Sequence, residues 1–229
     1  MMDSAFMIDI VYKLLSGLPL TLNLTVFGLI GGGCLALVLN AIRATPLGNS
    51  VASTYVFLFR GTPLLIQLFV IYYGLSALPF VRGSFLWPLL REPYWCGLLA
   101  LILNDAAYTS EILRGAFRAV PQGSREAAKV VGMTRWEAFR RISFPIALRQ
   151  ALPAYSSEVV ALLKGTALVS TITLMEVTGI ASAAVRQTWR AIEVFLCAAI
   201  IYLVLSLLVT WSFAQVERRL SPWLFRDAR

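Results

Sequence analysis

Three charged side chains lie inside stretches of the chain that are otherwise apolar. Asp105 lies in one such stretch, and Glu158 and Lys164 lie in another. A charge inside a membrane span is costly, so such residues usually face the interior of a helix bundle or an aqueous path. Two carboxylates and one ammonium group would complement a ligand that carries two cationic groups and one carboxylate. These residues are therefore candidates for a substrate path.

A second interpretation of Glu158 and Lys164 stays open beside the first. The two charges either contact a ligand or neutralise each other or a partner subunit. Their spacing of six residues places them about 120° apart on a helix, so one straight helix does not pair them directly. A break in the helix would allow the pair.

Polar residues also form a stripe along the stretch that contains Asp105. Asn104, Tyr108 and Glu111 are spaced i, i+4 and i+7, so they share one helix face. Asn104 and Tyr108 join the candidates for the substrate path. Glu111 precedes Arg114 by three residues, a spacing that predicts a structural ion pair.

The composition indicates an all-α membrane protein. Of the 229 residues, 59% are hydrophobic and 14% are charged, whereas a soluble domain usually carries about 25% charged residues. We predict a single transmembrane domain over residues 1–229. Five apolar segments are long enough to span a bilayer, near Leu18–Ala41, Gly61–Val81, Tyr94–Leu113, Gln150–Thr178 and Val194–Val216.

The spans and the segments between them carry signals for a break, for turns and for close helix packing. The fourth span is longer than a bilayer needs, which predicts a break near Gly165 or a strong tilt. Residues 43–60 and 179–192 read as connections, the first with turn residues at Pro46, Gly48, Asn49 and Ser50. The first span contains four glycines, which let a neighbouring helix approach closely in a membrane: Gly28, Gly31, Gly32 and Gly33.

Positive charges predict the orientation of the spans. With the N-terminus outside, fourteen of the twenty Lys and Arg residues fall in cytoplasmic segments and five fall outside, while Lys164 lies in the membrane. The positive-inside rule therefore places the C-terminus in the cytoplasm. It places the long polar loop of about residues 114–149 there too.

Two short helices are predicted within that loop. Ser124 is a candidate N-cap of the first helix, and Gly132 is its candidate left-handed stop. Thr134-Arg135-Trp136-Glu137 has the pattern of a capping box that opens the second helix. Pro145 is expected to end that second helix.

The loop resembles the EAA loop of permease subunits in binding-protein-dependent ABC importers. Glu126-Ala127-Ala128, Gly132, Ile142 and Pro145 match it with fixed spacing. The resemblance implies the type I ABC importer permease fold. It also implies that the short helix before Gly132 couples to a separate ATPase subunit, with Glu126, Ala127, Ala128 and Gly132 as the coupling residues.

A second segment narrows the resemblance. Arg60-Gly61-Thr62-Pro63-Leu64, followed by Gln67, resembles the polar amino-acid branch of these permeases, which includes the histidine/lysine/arginine/ornithine and opine permeases. Lys164-Gly165-Thr166-Ala167-Leu168 is similar to another motif of the family, with Ala167 in place of the usual Ser. The expected substrate is a basic amino acid or a related cationic compound, and the alternative is a glutamine- or glutamate-type polar amino acid.

The resemblance implies partners and a location. These partners are two ATP-binding subunits, a second permease chain that is identical or homologous, a periplasmic or lipid-anchored solute-binding protein and the lipid of a bacterial inner membrane.

The chain lacks histidine and a P-loop, so we expect no enzymatic activity, no metal site and no cofactor of its own, with ATP and Mg²⁺ used by the partner ATPase. No soluble basic module for nucleic acid is visible. A secondary transporter is a weaker alternative, because internal repeats are not visible.

Overall fold

The computed structural model describes residues 4–220, and within that range every regular element is a helix. In chain order the α-helices are α1 (Ser4–Leu15), α2 (Leu18–Ile42), α3 (Pro46–Gly61), α4 (Leu64–Phe69), α5 (Leu75–Ala77), α6 (Pro79–Arg82), α7 (Trp87–Leu90), α8 (Pro93–Arg118), α9 (Gln122–Val130), α10 (Arg135–Ala138), α11 (Phe144–Gly165), α12 (Val177–Thr188) and α13 (Ala191–Leu220). Two π-helical segments, Val70–Gly74 and Phe139–Ser143, and a 3-10 segment, Thr166–Ile172, join some of them.

Helices α2 and α8 form the central pair and run parallel to each other. Near their starts, the Tyr94 hydroxyl donates to Asn23 Oδ1 at 2.5 Å. Near their ends, Asn40 Nδ2 donates to the Ser110 carbonyl at 3.0 Å. Two parallel helices that both cross a membrane require the chain between them to cross back, and α3 to α5 are the elements available for that return.

Small residues set the distance between α2 and its neighbours. Gly28 packs against Leu101 and Leu162, and a methyl group at Gly32 would overlap with the Asp105 carboxylate. The predicted close approach is confirmed at Gly28, Gly31 and Gly32. It is wrong at Gly33, where no atom of residues 4–220 lies within 4 Å of the position that a side-chain carbon would occupy.

Gly32 and Gly33 therefore form a matched pair for mutagenesis. We expect Gly32→Val to lower the yield of folded protein severely, because its side chain would have to displace a buried carboxylate from the α2–α8 contact. Gly33→Val carries the same change at a site with open space, and it should fold normally. Size-exclusion profiles and melting temperatures of the two variants measure the difference, and equal behaviour would contradict the packing described here.

The segment before the second predicted span is a helix and not a connection. Helix α3 begins with Pro46 in its first turn, and the Thr45 side chain accepts a hydrogen bond from the Gly48 N–H at 3.1 Å. Pro46 and the polar residues after it therefore start a helix, as proline does at a first turn, and the predicted turn is wrong. Helix α3 and the following Leu64–Ala77 are bent by 104° at their junction.

The fourth predicted span changes from α-helix to 3-10 helix after Gly165, the predicted place, but it bends, by 47°, only between Ile172 and Val177. Helix α11 ends at Gly165 and continues as the 3-10 segment Thr166–Ile172, after which Thr173 is left-handed, with φ 72°. Residues 179–192 were expected to be a connection, but most of them belong to α12. That prediction is wrong because Glu176 caps the start of this helix, its side chain accepting from the Gly179 N–H.

Helices α1, α12 and α13 share a second apolar core, separate from the one between α2, α4 and α8. Its buried members include Ile10 and Leu14 of α1, Val177 and Ala181 of α12, and Val194 of α13. Helix α1 is thus fixed to the rest of the molecule along its apolar face.

Three described helices, α2, α8 and α13, are long and apolar enough to cross a membrane. Two bent pairs, α3 with residues 64–77 and residues 135–172 with α12, raise the number to as many as five if each pair is one span. The predicted five spans correspond to that upper number. Arg226 and Arg229, which contributed to the predicted orientation, lie outside the described residues.

Candidate translocation and coupling site

The bend between α3 and α4 is held by Gln67, which is buried. Its Nε2 donates to the Phe59 carbonyl at 2.8 Å and to Thr62 Oγ1 at 2.9 Å. Its Oε1 accepts from Asn104 Nδ2 at 3.0 Å, which ties the bend to α8. The side-chain amide thus satisfies backbone and side-chain groups that the bend leaves without helical partners.

The same segment contacts α8 one turn further along. The Arg60 guanidinium lies 5.2 Å from the centre of the Tyr108 ring, at cation–π distance. The segment Arg60 to Gln67, which includes Gly61 and Pro63, is therefore placed against the polar stripe that the sequence indicated on α8. The sequence did not predict which residues would pair across this contact.

Asp105 is fully buried between α2 and α8. Thr109 Oγ1 donates to its Oδ2 at 3.3 Å, and its Oδ1 has no hydrogen-bond partner among the described residues. Gly32 of α2 lies directly against this carboxylate. In this conformation Asp105 is therefore enclosed by protein and presents no surface to a path.

Glu158 is half-buried on α11, and Arg60 and Asp105 lie within electrostatic range of it. Lys164 is exposed, and helix α11 is continuous past both residues. Within residues 4–220, no ion pair joins Glu158 to Lys164. The α-helix ends only after Gly165, which is too late to bring the two charges together. The helix therefore does not allow Glu158 and Lys164 to neutralise each other.

Glu111 is the centre of an ion-pair cluster. The predicted pair is confirmed, because the Arg114 guanidinium donates to both Glu111 carboxylate oxygens. Arg43, at the end of α2, also donates to Glu111 Oε1 at 2.8 Å. Sequence spacing could not reveal Arg43, because it lies 68 residues away along the chain.

One buried acid was missed in the sequence. Glu176 is fully buried, and its Oε2 accepts from the Tyr202 hydroxyl at 2.6 Å and from the Thr21 hydroxyl at 3.5 Å. Through these bonds and the cap on Gly179, it connects α2, α12 and α13. A carboxylate three residues before a glycine at a helix start was the available signal.

The EAA loop contains the two predicted short helices. Ala128 of α9 is buried, while Glu126 and Ala127 are exposed. Gly132 is left-handed, with φ 74°, as predicted. The predicted N-cap is wrong: α9 begins at Gln122, before Ser124, and no side chain caps it.

The capping box of the second helix is confirmed. Glu137 accepts from the Thr134 N–H at 2.9 Å, and its own N–H donates to Thr134 Oγ1 at 3.3 Å. The hydrogen bonds that the Thr134 N–H and hydroxyl donate to the Glu137 carboxylate, together with the nearby positive charge of Arg141, lower the pKa of Glu137. Hydrogen bonds of this kind favour the charged form of the carboxylate.

Pro145 does not end this helix, contrary to expectation. Helix α10 continues through the π segment Phe139–Ser143 into α11, where Pro145 lies in the first turn. A π turn shifts the backbone hydrogen bonds to a different carbonyl. The helix can therefore continue past Pro145 even though proline has no N–H to donate. Helix α10, the π segment and α11 are thus one continuous helical element.

The surface of the loop is apolar at its tip. Val130 and Val131 are 86% and 68% exposed, and Trp136 is 67% exposed. Glu126 and Ala127 lie beside them on α9. An exposed apolar patch with a charged border is typical of a protein-interaction surface.

The family of the chain follows from comparison with known proteins. A model of the family described as the binding-protein-dependent transport system inner membrane component matches residues 14–222. The chain belongs to this permease family. Its predicted membership is thereby confirmed, and the match includes both the Arg60 segment and the EAA loop.

Several members of this family that resemble the chain belong to transport systems for amino acids or opines. It is 50% identical to the octopine transport system permease protein OccM of Rhizobium radiobacter, over 96% of this chain and 91% of that protein. It is 41% identical to the arginine ABC transporter permease protein ArtM of Escherichia coli, over 93% and 96%. The crystal structure of an amino acid ABC transporter with histidines matches with a TM-score of 0.84 and 33% identity, over 96% of this chain and 99% of that one.

Proposed function

We propose that this permease forms the translocation path of an ATP-driven importer and transports its substrate by alternating access. The proposed complex contains a second permease chain, identical or homologous, two ATP-binding subunits and a periplasmic or lipid-anchored solute-binding protein. The support is the EAA loop, in which Ala128 is anchored inside while Glu126, Ala127 and the apolar tip are exposed. ATP and Mg²⁺ belong to the partner ATPase in this proposal.

The proposed substrate is a cationic amino acid or a derivative of one. The names of two relatives mention octopine and arginine, and both compounds contain a guanidinium group. Glu158 carries the proposal, because it is a half-buried carboxylate on α11 without an ion-pair partner among the described residues. An unpaired carboxylate in a low-dielectric region favours a cation. Lys164 is proposed for the α-carboxylate, and Asn104 and Tyr108 for the wall of the path. Asp105, which is enclosed between α2 and α8 in this conformation, would reach the path only in another conformation of the transport cycle.

Uptake by the reconstituted complex tests this function. Proteoliposomes that contain the permease, its ATPase and the loaded binding protein should accumulate arginine or octopine only when ATP is inside. Preferential uptake of glutamine or glutamate would establish the alternative substrate class. Accumulation without ATP would establish a secondary transporter.

We further propose that the protein is a multi-pass protein of the bacterial inner membrane with its N-terminus outside. The clustering of Arg and Lys in the EAA loop supports this orientation. A cysteine introduced at Gln122 should react with an impermeant maleimide only after the cells are opened, and one at Gly83 should react in intact cells. Both positions are exposed. The reverse pattern of labelling would overturn the orientation.

A further inference from the structure

We propose that a cleft lined by arginines at the ends of α2 and α8 binds the phosphate headgroup of an anionic phospholipid. The cleft has a volume of about 600 Å³ and lies between the ends of α2 and α8, the start of α3 and the EAA loop. Its lining includes Asn49 and Phe139 and four cationic residues, Arg43, Arg114, Arg118 and Arg125. The proposal goes beyond the transport function, because a cationic substrate would be repelled here.

The positive charges in the cleft outnumber the carboxylates that pair with them among the described residues. Glu111, beside it, accepts hydrogen bonds from Arg43 and Arg114. Within residues 4–220, no carboxylate lies within ion-pair distance of Arg118 or Arg125. The Arg43 Nε is buried and has no hydrogen-bond partner in the same range.

Guanidinium groups that outnumber the nearby carboxylates are suited to binding phosphate. Each presents several N–H donors in a planar fork, and this geometry matches phosphate oxygens with two parallel bonds. The Arg125 guanidinium donates to the Phe117 carbonyl, which fixes it at the edge of the cleft. A phosphate between Arg118 and Arg125 would therefore meet at least one guanidinium that is already held in place, that of Arg125.

The place of the cleft in the fold favours a lipid over a free anion. Arg43 follows the last turn of α2, and Arg118 is the last residue of α8. Both helices are long and apolar enough to cross a membrane, so their ends lie where headgroups lie. Basic pockets between membrane helices at this depth suit anionic headgroups.

An apolar surface next to the cleft offers a place for acyl chains. Leu47 and Phe57 on the outer side of α3 are 77% and 76% exposed. Phe57 also lines a smaller neighbouring cavity, of about 300 Å³, which shares Asn49 and three of the arginines with the cleft. A charged pocket with an apolar flank matches an amphipathic ligand with an anionic head.

Native mass spectrometry of the full chain, with lipids added to detergent, tests the site. Phosphatidylglycerol should bind and phosphatidylcholine should not. The double variant Arg118→Gln/Arg125→Gln should bind phosphatidylglycerol about 30-fold more weakly, equivalent to roughly 1 kcal/mol for each arginine. Arg140→Gln/Arg141→Gln removes the same charge from exposed residues of the loop outside the cleft, and it should bind as the unaltered chain does.

Three results would overturn the proposal. Equal losses in the two double variants would indicate a diffuse charge effect. Displacement of the lipid by millimolar glycerol 3-phosphate or inorganic phosphate would indicate a site for a free anion. Loss of the lipid when the ATPase binds would assign the arginines to that partner. Retained binding in Arg118→Lys/Arg125→Lys, which keeps the charges, would support the site and show that the variants are folded.

Discussion

Gly132→Val is expected to abolish the stimulation of ATP hydrolysis by the loaded binding protein, while the permease still inserts into the membrane. Gly132 has a φ of 74°, a conformation that costs an L-residue about 1–2 kcal/mol and is especially unfavourable for a β-branched one. The chain reverses here so that the Met133 N–H bonds back to the Ala128 carbonyl at 3.0 Å. Losing that reversal misaligns α9 with α10, and hence the surface proposed for the ATPase.

Gly115→Val is the control for this experiment. Gly115 lies within the regular helix α8, and no atom of the described part of the chain lies within 4 Å of the position that a side-chain carbon would occupy. The same substitution there should leave stimulation close to that of the unaltered complex. Normal stimulation in Gly132→Val, measured on purified complex in nanodiscs, would contradict the role proposed for the loop.

Glu158→Gln is expected to reduce uptake of a cationic substrate by about 30-fold or more. Removing the partner of a desolvated charge costs about 2–5 kcal/mol. Glutamine keeps the shape of the side chain, and Glu158 has no ion pair within residues 4–220 that the change would break. Assembly and basal ATP hydrolysis should therefore remain unchanged.

The measurement is uptake per assembled complex in proteoliposomes, with saturating binding protein. Glu92→Gln is the matched control, since Glu92 is exposed and lies before α8, and its uptake should equal that of the unaltered chain. If Glu158 is purely structural, its variant will assemble poorly while each surviving complex transports normally. That outcome would remove the cation site but leave the importer proposal standing.

Sequence reasoning predicted the apolar helices well and the polar ones poorly. Hydropathy located α2, α8 and α13, because an apolar run of that length is typical of a membrane helix and of little else. It missed α3 and α12, which start at polar residues that also form turns. Thr45-Pro46 before α3 and Glu176 before α12 are helix-start signals, but their alternative use in turns hid them.

The contacts of the candidate site were also predicted only in part. Local spacing predicted the Glu111–Arg114 pair and the capping box of Thr134, since both depend on residues three apart in the chain. Contacts between distant segments, such as Gln67 with Asn104, depend on how the helices pack and have no local signal. The burial of Asp105 against a glycine of α2 belongs to the same class.

The continuity of α10, the π segment and α11 makes this element a lever with one end in the loop. About 30 residues separate Arg135 from Gly165, which corresponds to roughly 45 Å at 1.5 Å per residue. A rotation of about 10° at the loop would displace the far end by about 8 Å and Glu158 by about 6 Å, by the same rise per residue. If the element turned as one rigid body, a small movement of whatever binds Trp136 and the apolar tip would be larger at the carboxylate. No separate signal along α11 is then needed to connect the two places.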